Sequence, residues 1–126
     1  MNSALIIIDM QNDFCTGGAL AVKDGEKIIQ CINDAQKEFK TIILTQDWHP
    51  QEHSSFASNH GAEPYTNIEM EYGSQILWPD HCVQGSTGAN FHRDLNTNKS
   101  DLILRKGSNP KIDSYSAFFE NDKNTT

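Results

Sequence analysis

What this chain lacks narrows its role before any motif is read. It has only three cysteines, an odd number without close spacing, so no disulfide framework is expected. A reducing cytoplasm is the compartment that fits this usage. Basic residues are outnumbered: ten Lys+Arg against seventeen Asp+Glu leave a formal charge of −7. That argues against nucleic acid as the main partner, because phosphate binding needs a basic surface. No apolar run approaches the ~20 residues that cross a bilayer, so no membrane partner is expected. Met1-Asn2-Ser3 has no basic region of the kind that opens a secretion signal. Internal repeats and low-complexity tracts are absent. The polar residues 120–126 read as a frayed end or a linker.

What is present is a lean core. Apolar side chains make up 37% of 126 residues and come in dense blocks, which predicts one folded domain over residues 1–126. Three blocks stand out: Ala4-Leu5-Ile6-Ile7-Ile8 before Asp9, Thr41-Ile42-Ile43-Leu44-Thr45 before Gln46-Asp47, and Asp101-Leu102-Ile103-Leu104-Arg105 before Lys106. The first two do not alternate and are rich in β-branched residues, as in strands buried on both faces of a parallel sheet. Between them residues 25–39 predict a helix, with Ile28, Ile32, Ala35 and Phe39 on one face and Asp24 as its cap. Strand, helix, strand is a βαβ unit, and the fold class is α/β, a parallel sheet with flanking helices. From residue 46 to about 100 the periodicity fades while all five histidines appear. A long irregular connection of this kind is usually functional. One convincing helix cannot cover both faces of three such strands. The chain therefore either oligomerises through that surface or forms the front part of a larger domain, and the second is favoured.

Ligands in open parallel sheets bind beyond the carboxyl ends of the strands. The three strand candidates end in Asp9, Asp47 and Lys106, and parallel pairing would bring those ends to one edge. Taken singly, each is most simply a solvated strand end or a helix cap. Pro50 pushes His49 toward an extended conformation, and residues two apart in an extended chain point the same way. Asp47 and His49 would then offer a carboxylate and an imidazole to a divalent metal. The third ligand is open among His53, His60, His81 and His92. An ordinary loop with hydrogen-bonded histidines competes evenly with that reading. Two imidazoles and a carboxylate would leave positions for water or substrate, as catalytic sites do. Cys31 reads as helix packing, Cys15 as an exposed loop residue, and Cys82 as inert packing ahead of thiol ligand or nucleophile. Phe14, Trp48 and Trp78 flank the candidate site, and aromatics there could wall a pocket for a flat apolar substrate.

These residues carry a resemblance. Leu5-Ile6-Ile7-Ile8-Asp9-Met10-Gln11-Asn12-Asp13-Phe14 resembles the opening of the isochorismatase-like cysteine hydrolases. Thr45-Gln46-Asp47-Trp48-His49-Pro50, His53-Ser54-Ser55-Phe56-Ala57 and Trp78-Pro79-Asp80-His81-Cys82-Val83 resemble the metal-site segments of the nicotinamidases in that group. Arg105-Lys106-Gly107 and Asp113-Ser114-Tyr115-Ser116-Ala117-Phe118 are similar to theirs as well. The resemblance implies hydrolysis of nicotinamide to nicotinate and ammonia in pyridine nucleotide (NAD) salvage. It implies Asp9 as general base and Lys106 as second polar member of a Cys-Asp-Lys triad. Asp47, His49 and His81 would hold a metal, zinc before iron or manganese, that meets the pyridine nitrogen, with His53 in or near its shell. Phe14, Trp78 and Tyr115 would line the ring pocket. In the family the nucleophilic cysteine follows the lysine in a G-x-x-x-D-x-C turn, whereas no cysteine here follows Cys82. The expectation is the amino-terminal part of a nicotinamidase, truncated before the nucleophile and its oxyanion donors, and inactive alone. The alternatives are a non-catalytic metal-binding or interaction fragment, which could pair its exposed sheet edge with another chain as a homo-oligomer, and a related amidohydrolase for another carboxamide.

Overall fold

The computed structural model describes residues 3–126; Met1 and Asn2, read above for a leader, lie outside the described residues. Five strands form: β1 (Ala4–Ile8), β2 (Thr41–Asp47), β3 (Asn67–Met70), β4 (Gly73–Ile76) and β5 (Leu102–Lys106). β1, β2 and β5 make a parallel sheet in the order β1-β2-β5, and β3 and β4 pair as a separate antiparallel hairpin. The register runs Ala4–Thr41 to Ile8–Thr45 on one side of β2 and Ile43–Leu102 to Asp47–Lys106 on the other. The three predicted strands are present; β2 continues two residues further, to Asp47, and β5 begins and ends one residue later than expected, taking in Lys106.

The helix is shorter than its periodicity predicts. A 3₁₀ turn covers Gly25–Ile28, and α1, the single α-helix among the described residues, covers only Ile29–Ala35. Asp24 does not cap it: its backbone is left-handed at φ 61°, and its carboxylate pairs with Lys27 at 3.1 Å. The tighter 3₁₀ turn also rotates the buried face. Ile28 is 53% exposed while its neighbour Ile29 is 4% exposed and sits in the core. Two cysteines exchange their expected places. Cys31 is exposed on α1, and Cys15 is buried in the core.

That core lies on one side of the sheet: Ile7, Ile42 and Leu44 pack with Ile29, Met10, Cys15 and Leu95. The opposite face is open, with Ile6 44% and Ile8 66% exposed. It forms one wall of a groove of about 470 Å³, closed on the other side by Tyr115–Phe118. The strands are therefore not buried on both faces, in keeping with one short helix to cover them. The middle segment is not wholly irregular, since it contains the β3–β4 hairpin. Its strands of four residues alternate too briefly to be seen as a pattern. Residues 120–126 are not frayed: Asn121 N–H donates to the Asp113 carbonyl at 2.8 Å, and Asp122 Oδ1 accepts from the N–H groups of Asn124 and Thr125 at 2.9 Å each.

Candidate active site and metal centre

The carboxyl ends of the three parallel strands meet at Lys106. Asp47 and Lys106 are register partners, so their side chains leave the same face of the sheet. Continued extension would turn Asp9 to the other face. Its φ of 50° breaks the alternation, and Lys106 Nζ reaches Asp9 Oδ2 at 3.0 Å. The same ammonium donates to Asp47 Oδ1 and, at 3.1 Å, to the Ser114 carbonyl. All three of its donors are used. Burial pulls the Lys106 pKa down, but Asp47 and Asp9 override it and hold the ammonium above its usual value. Thr45 Oγ1 donates to Asp9 Oδ1 at 2.7 Å and fixes the carboxylate plane.

On the far side of Asp47 lie two imidazoles. His49 follows β2 and forms a parallel bridge with Val83, which draws the loop after Trp78 alongside it. His49 N–H donates to the Cys82 carbonyl at 3.0 Å and Gln84 N–H to the His49 carbonyl at 2.8 Å. His49 Nδ1 donates to the Gly107 carbonyl and His81 Nδ1 to the Pro79 carbonyl, each at 2.8 Å. Carbonyls only accept, so both rings carry the Nδ1 proton and both Nε2 lone pairs are free in the neutral form. Those Nε2 atoms face Asp47 Oδ2 at 3.4 Å and 3.7 Å. All three residues are buried. Burial pushes the Asp47 carboxyl up, but His49, His81 and Lys106 outweigh it and hold the group far below the usual range. Gly107 is needed at its position: its φ is 69°, and a Cβ there would fall on the His49 ring.

This donor set fits a divalent cation. It offers one anionic oxygen and two imidazole nitrogens, tautomerically fixed, with other positions left open. Of the four histidines open as third ligand, His81 is the one grouped with Asp47 and His49. His53 stacks on His49 at 4.3 Å between centroids and belongs to a second buried group with His49 and Asp113. Its Nδ1 bonds Ser55 Oγ at 2.8 Å and its Nε2 has no partner. Burial and the neighbouring His49 push its pKa down to about 4, so the ring is neutral at neutral pH. His60 bonds the Ser54 carbonyl and His92 lies beside Asp94, both away from Asp47.

The aromatic residues fall around this edge. Phe14 packs on His81 at 5.8 Å and lines a cavity of about 270 Å³ with Asp9 and Met10. Trp78 and Tyr115 meet edge to face at 6.3 Å between centroids, and Tyr115 lines the open groove with Lys106. Cys82 is fully buried, and burial with the carboxylates of Asp47, Asp13 and Asp9 pushes its thiol far up. A thiol held protonated in this way is a poor nucleophile. Sequence reasoning missed Thr45, Gln75, Gln11 and the positioning use of Asp13. Gln75 is buried and donates to Asp113 Oδ2 and Tyr115 Oη at 3.1 and 3.2 Å. The signal available for Thr45 was its place two residues before Asp47; for Gln11 and Asp13 it was their place just after Asp9.

Known proteins resemble the chain along most of its length. The isochorismatase domain model matches residues 3–123. A nicotinamidase of Acinetobacter baylyi is 52% identical over 99% of this chain, which covers 59% of that relative. The solved structure of a nicotinamidase/pyrazinamidase of Acinetobacter baumanii superposes with a TM-score of 0.97 at 54% identity, over 99% of this chain and 61% of that one. A pyrazinamidase of Pyrococcus horikoshii, solved in complex with zinc, superposes at 0.73 with 38% identity, over 94% of this chain and 59% of that one. The chain thus spans about three-fifths of the length of these relatives.

Proposed function

The chain belongs to the isochorismatase family, and from that premise we propose that it carries the metal-binding, ring-binding and proton-handling parts of a nicotinamidase. The net reaction is nicotinamide plus water to nicotinate plus ammonia, in pyridine nucleotide salvage. One observation carries the reading: Lys106 joins Asp9 on one side to Asp47, and through it to His49 and His81, on the other. Acid–base chemistry and ring recognition are thereby held a side chain apart.

In this reading Asp9 takes the proton of an attacking thiol and later delivers it to the departing amide nitrogen. Lys106 favours the anionic carboxylate and thiolate that this requires. Asp47, His49 and His81 hold a divalent metal, zinc first and iron or manganese as alternatives, which when bound supplies a Lewis-acid position for the pyridine nitrogen. The zinc-bound Pyrococcus relative supports that choice. Phe14, Trp78 and Tyr115 wall the ring. Cys15 and Cys82 are buried with their thiols pushed up toward the protonated form, and Cys31 is exposed on α1, so none of these three is assigned as the attacking thiol. Residues 1–126 then form one isochorismatase-like unit that does not hydrolyse amide by itself. Three free thiols fit a reducing, cytoplasmic setting, and among the described residues no helix is long and apolar enough to cross a membrane.

Calorimetry on the zinc-loaded chain tests the proposal. Nicotinamide should bind, and benzamide, which has the ring but no ring nitrogen, should bind at least about tenfold more weakly, the worth of roughly 1.4 kcal/mol. His81→Ala should abolish both zinc uptake and the preference. Equal binding of the two amides refutes the reading, and ammonia release by the chain alone refutes the assignment of the thiol.

A further inference from the structure

The turn after β1 holds side chains that the proposed reaction leaves unused. Gln11 is wholly buried, a costly place for an amide unless its groups are bonded. Its Oε1 accepts from Asp47 N–H at 2.8 Å, and its Nε2 donates to the Asp47 and Ala89 carbonyls at 2.8 Å each. A neighbouring strand would satisfy the N–H and C=O of this residue in the same way. Here β1 has already left the sheet, since its last pair with β2 is Ile8–Thr45. The Gln11 side chain stands in for the missing strand at the residue where the metal-ligand carboxylate sits.

Asp13 does the same for the other ligand segment. Its Oδ2 accepts from Cys82 N–H at 2.7 Å and its Oδ1 from Ala19 N–H at 3.1 Å. Cys82 follows His81 directly and has a left-handed φ of 46°, a conformation that needs outside support in a residue with a Cβ. The turn itself is wedged between glycines. A Cβ at Gly88 would fall on the Asp13 carboxylate, and one at Gly18 on the carbonyl oxygens of Asn12 and Asp13.

The geometry points to Gln11 and Asp13 as positioning residues of the metal centre: one wedged turn grips the backbone of Asp47 and of the residue after His81, and so sets the separation of their ligand atoms. The inference rests on Asp47, His49 and His81 being metal ligands. Outer partners of this kind are worth about 10–100-fold in metal affinity.

The test uses the metal alone. Zinc affinity is measured by chelator competition, and the coordination geometry is read from the visible spectrum of the cobalt-loaded chain. Gln11→Leu and Asp13→Ala should each weaken zinc by about 10–100-fold and alter the cobalt bands. Asp13→Asn retains an acceptor for Cys82 N–H and should stay close to the parent. Asn12→Ala removes a bond to the Thr87 carbonyl, in the same turn but on neither ligand segment, and should also stay close. Parental affinity and spectrum in both Gln11→Leu and Asp13→Ala overturn the inference. So does an equal loss in Asn12→Ala, which would reduce the turn to general stability, or an equal loss in Asp13→Asn. Should Gln11→Leu not fold, the two Asp13 variants decide. His81→Ala separates the premise: if the parent binds no zinc, or its zinc survives this change, the ligand assignment itself has failed and the inference with it.

Discussion

At the scale of single residues, the site is governed by one buried cation between two carboxylates. Lys106 and Asp47 are both buried, and Asp9 completes the group at 3.0 Å. Removing one partner of such a group leaves charge without compensation, which costs about 3–5 kcal/mol. Lys106→Met should therefore lower the unfolding free energy of the metal-free chain by that amount near neutral pH. The pH dependence follows from Asp47. Its carboxyl is held below its ordinary value of about 3.9 in the folded chain, so the unfolded state binds the proton first. Its stabilising contribution is complete above about pH 4 and drains away as pH falls toward the folded value. The gap between parent and Lys106→Met should thus be widest near pH 7 and narrow as acid is added, measured by urea unfolding at several pH values. A gap that holds constant down to pH 2 would mean the ammonium does not act on Asp47. Asp9, Asp47 and Lys106 could be picked from the sequence because each follows or ends an apolar strand, and His49 because it stands two residues after Asp47 and before Pro50. The partners that hold them, Thr45 and Gln11, could not. Their work depends on where the neighbouring backbone stops, and register is not written in any one segment.

At the scale of elements, the three parallel strands were legible, and the helix was legible in its place but not in its length or its buried face. Runs such as Leu5–Ile8 and Ile42–Leu44 are short and rich in β-branched isoleucine, which favours a strand over a helix. Residues 25–39 carry apolar side chains at Ile28, Ile29, Ile32, Ala35 and Phe39, which allows two faces one residue apart. The 3₁₀ turn at Gly25–Ile28 settles the choice in favour of Ile29. Truncation tests this phase. Ile29→Ala removes a side chain that is 4% exposed and in contact with the core, and should cost about 2–5 kcal/mol. Ile28→Ala, at 53% exposure, should change stability by about 0.5 kcal/mol or less. Thermal or urea unfolding of the pair reads the difference, and equal losses would restore the longer helix. The hairpin of β3 and β4 stayed hidden for a different reason. Its turn holds Glu71 and Tyr72 rather than an Asn-Gly or Asp-Gly signal, and what fixes it is distant: Gln75 binds Asp113 and Tyr115, some forty residues along the chain.

At the scale of the whole molecule, one sheet face is closed and the other is not. The lean composition already required this, for three strands of this kind present more apolar surface than one helix covers. Ile6, Ile8 and Leu102 are exposed on that open face, with Phe118 at 74% exposure across the groove. Contiguous apolar surface of this sort drives association in water. The 126-residue chain should therefore bind a hydrophobic dye in its folded state and sediment above the monomer mass at micromolar concentration. Replacing Ile8 and Leu102 together by lysine puts two charges on the face without touching the core on the other side, where Ile7, Ile42 and Leu44 pack. That double variant should lose dye binding and sediment as a monomer. The grouping of Asp47, His49 and His81 should persist, because Ile8 and Leu102 pair across the sheet with Thr45 and Ile43 and belong to no part of that group. Were the parent already a dye-silent monomer, the open face would have to be closed by a rearrangement of Tyr115–Phe118 over the strands, and the groove that Lys106 and Tyr115 now share would be lost with it.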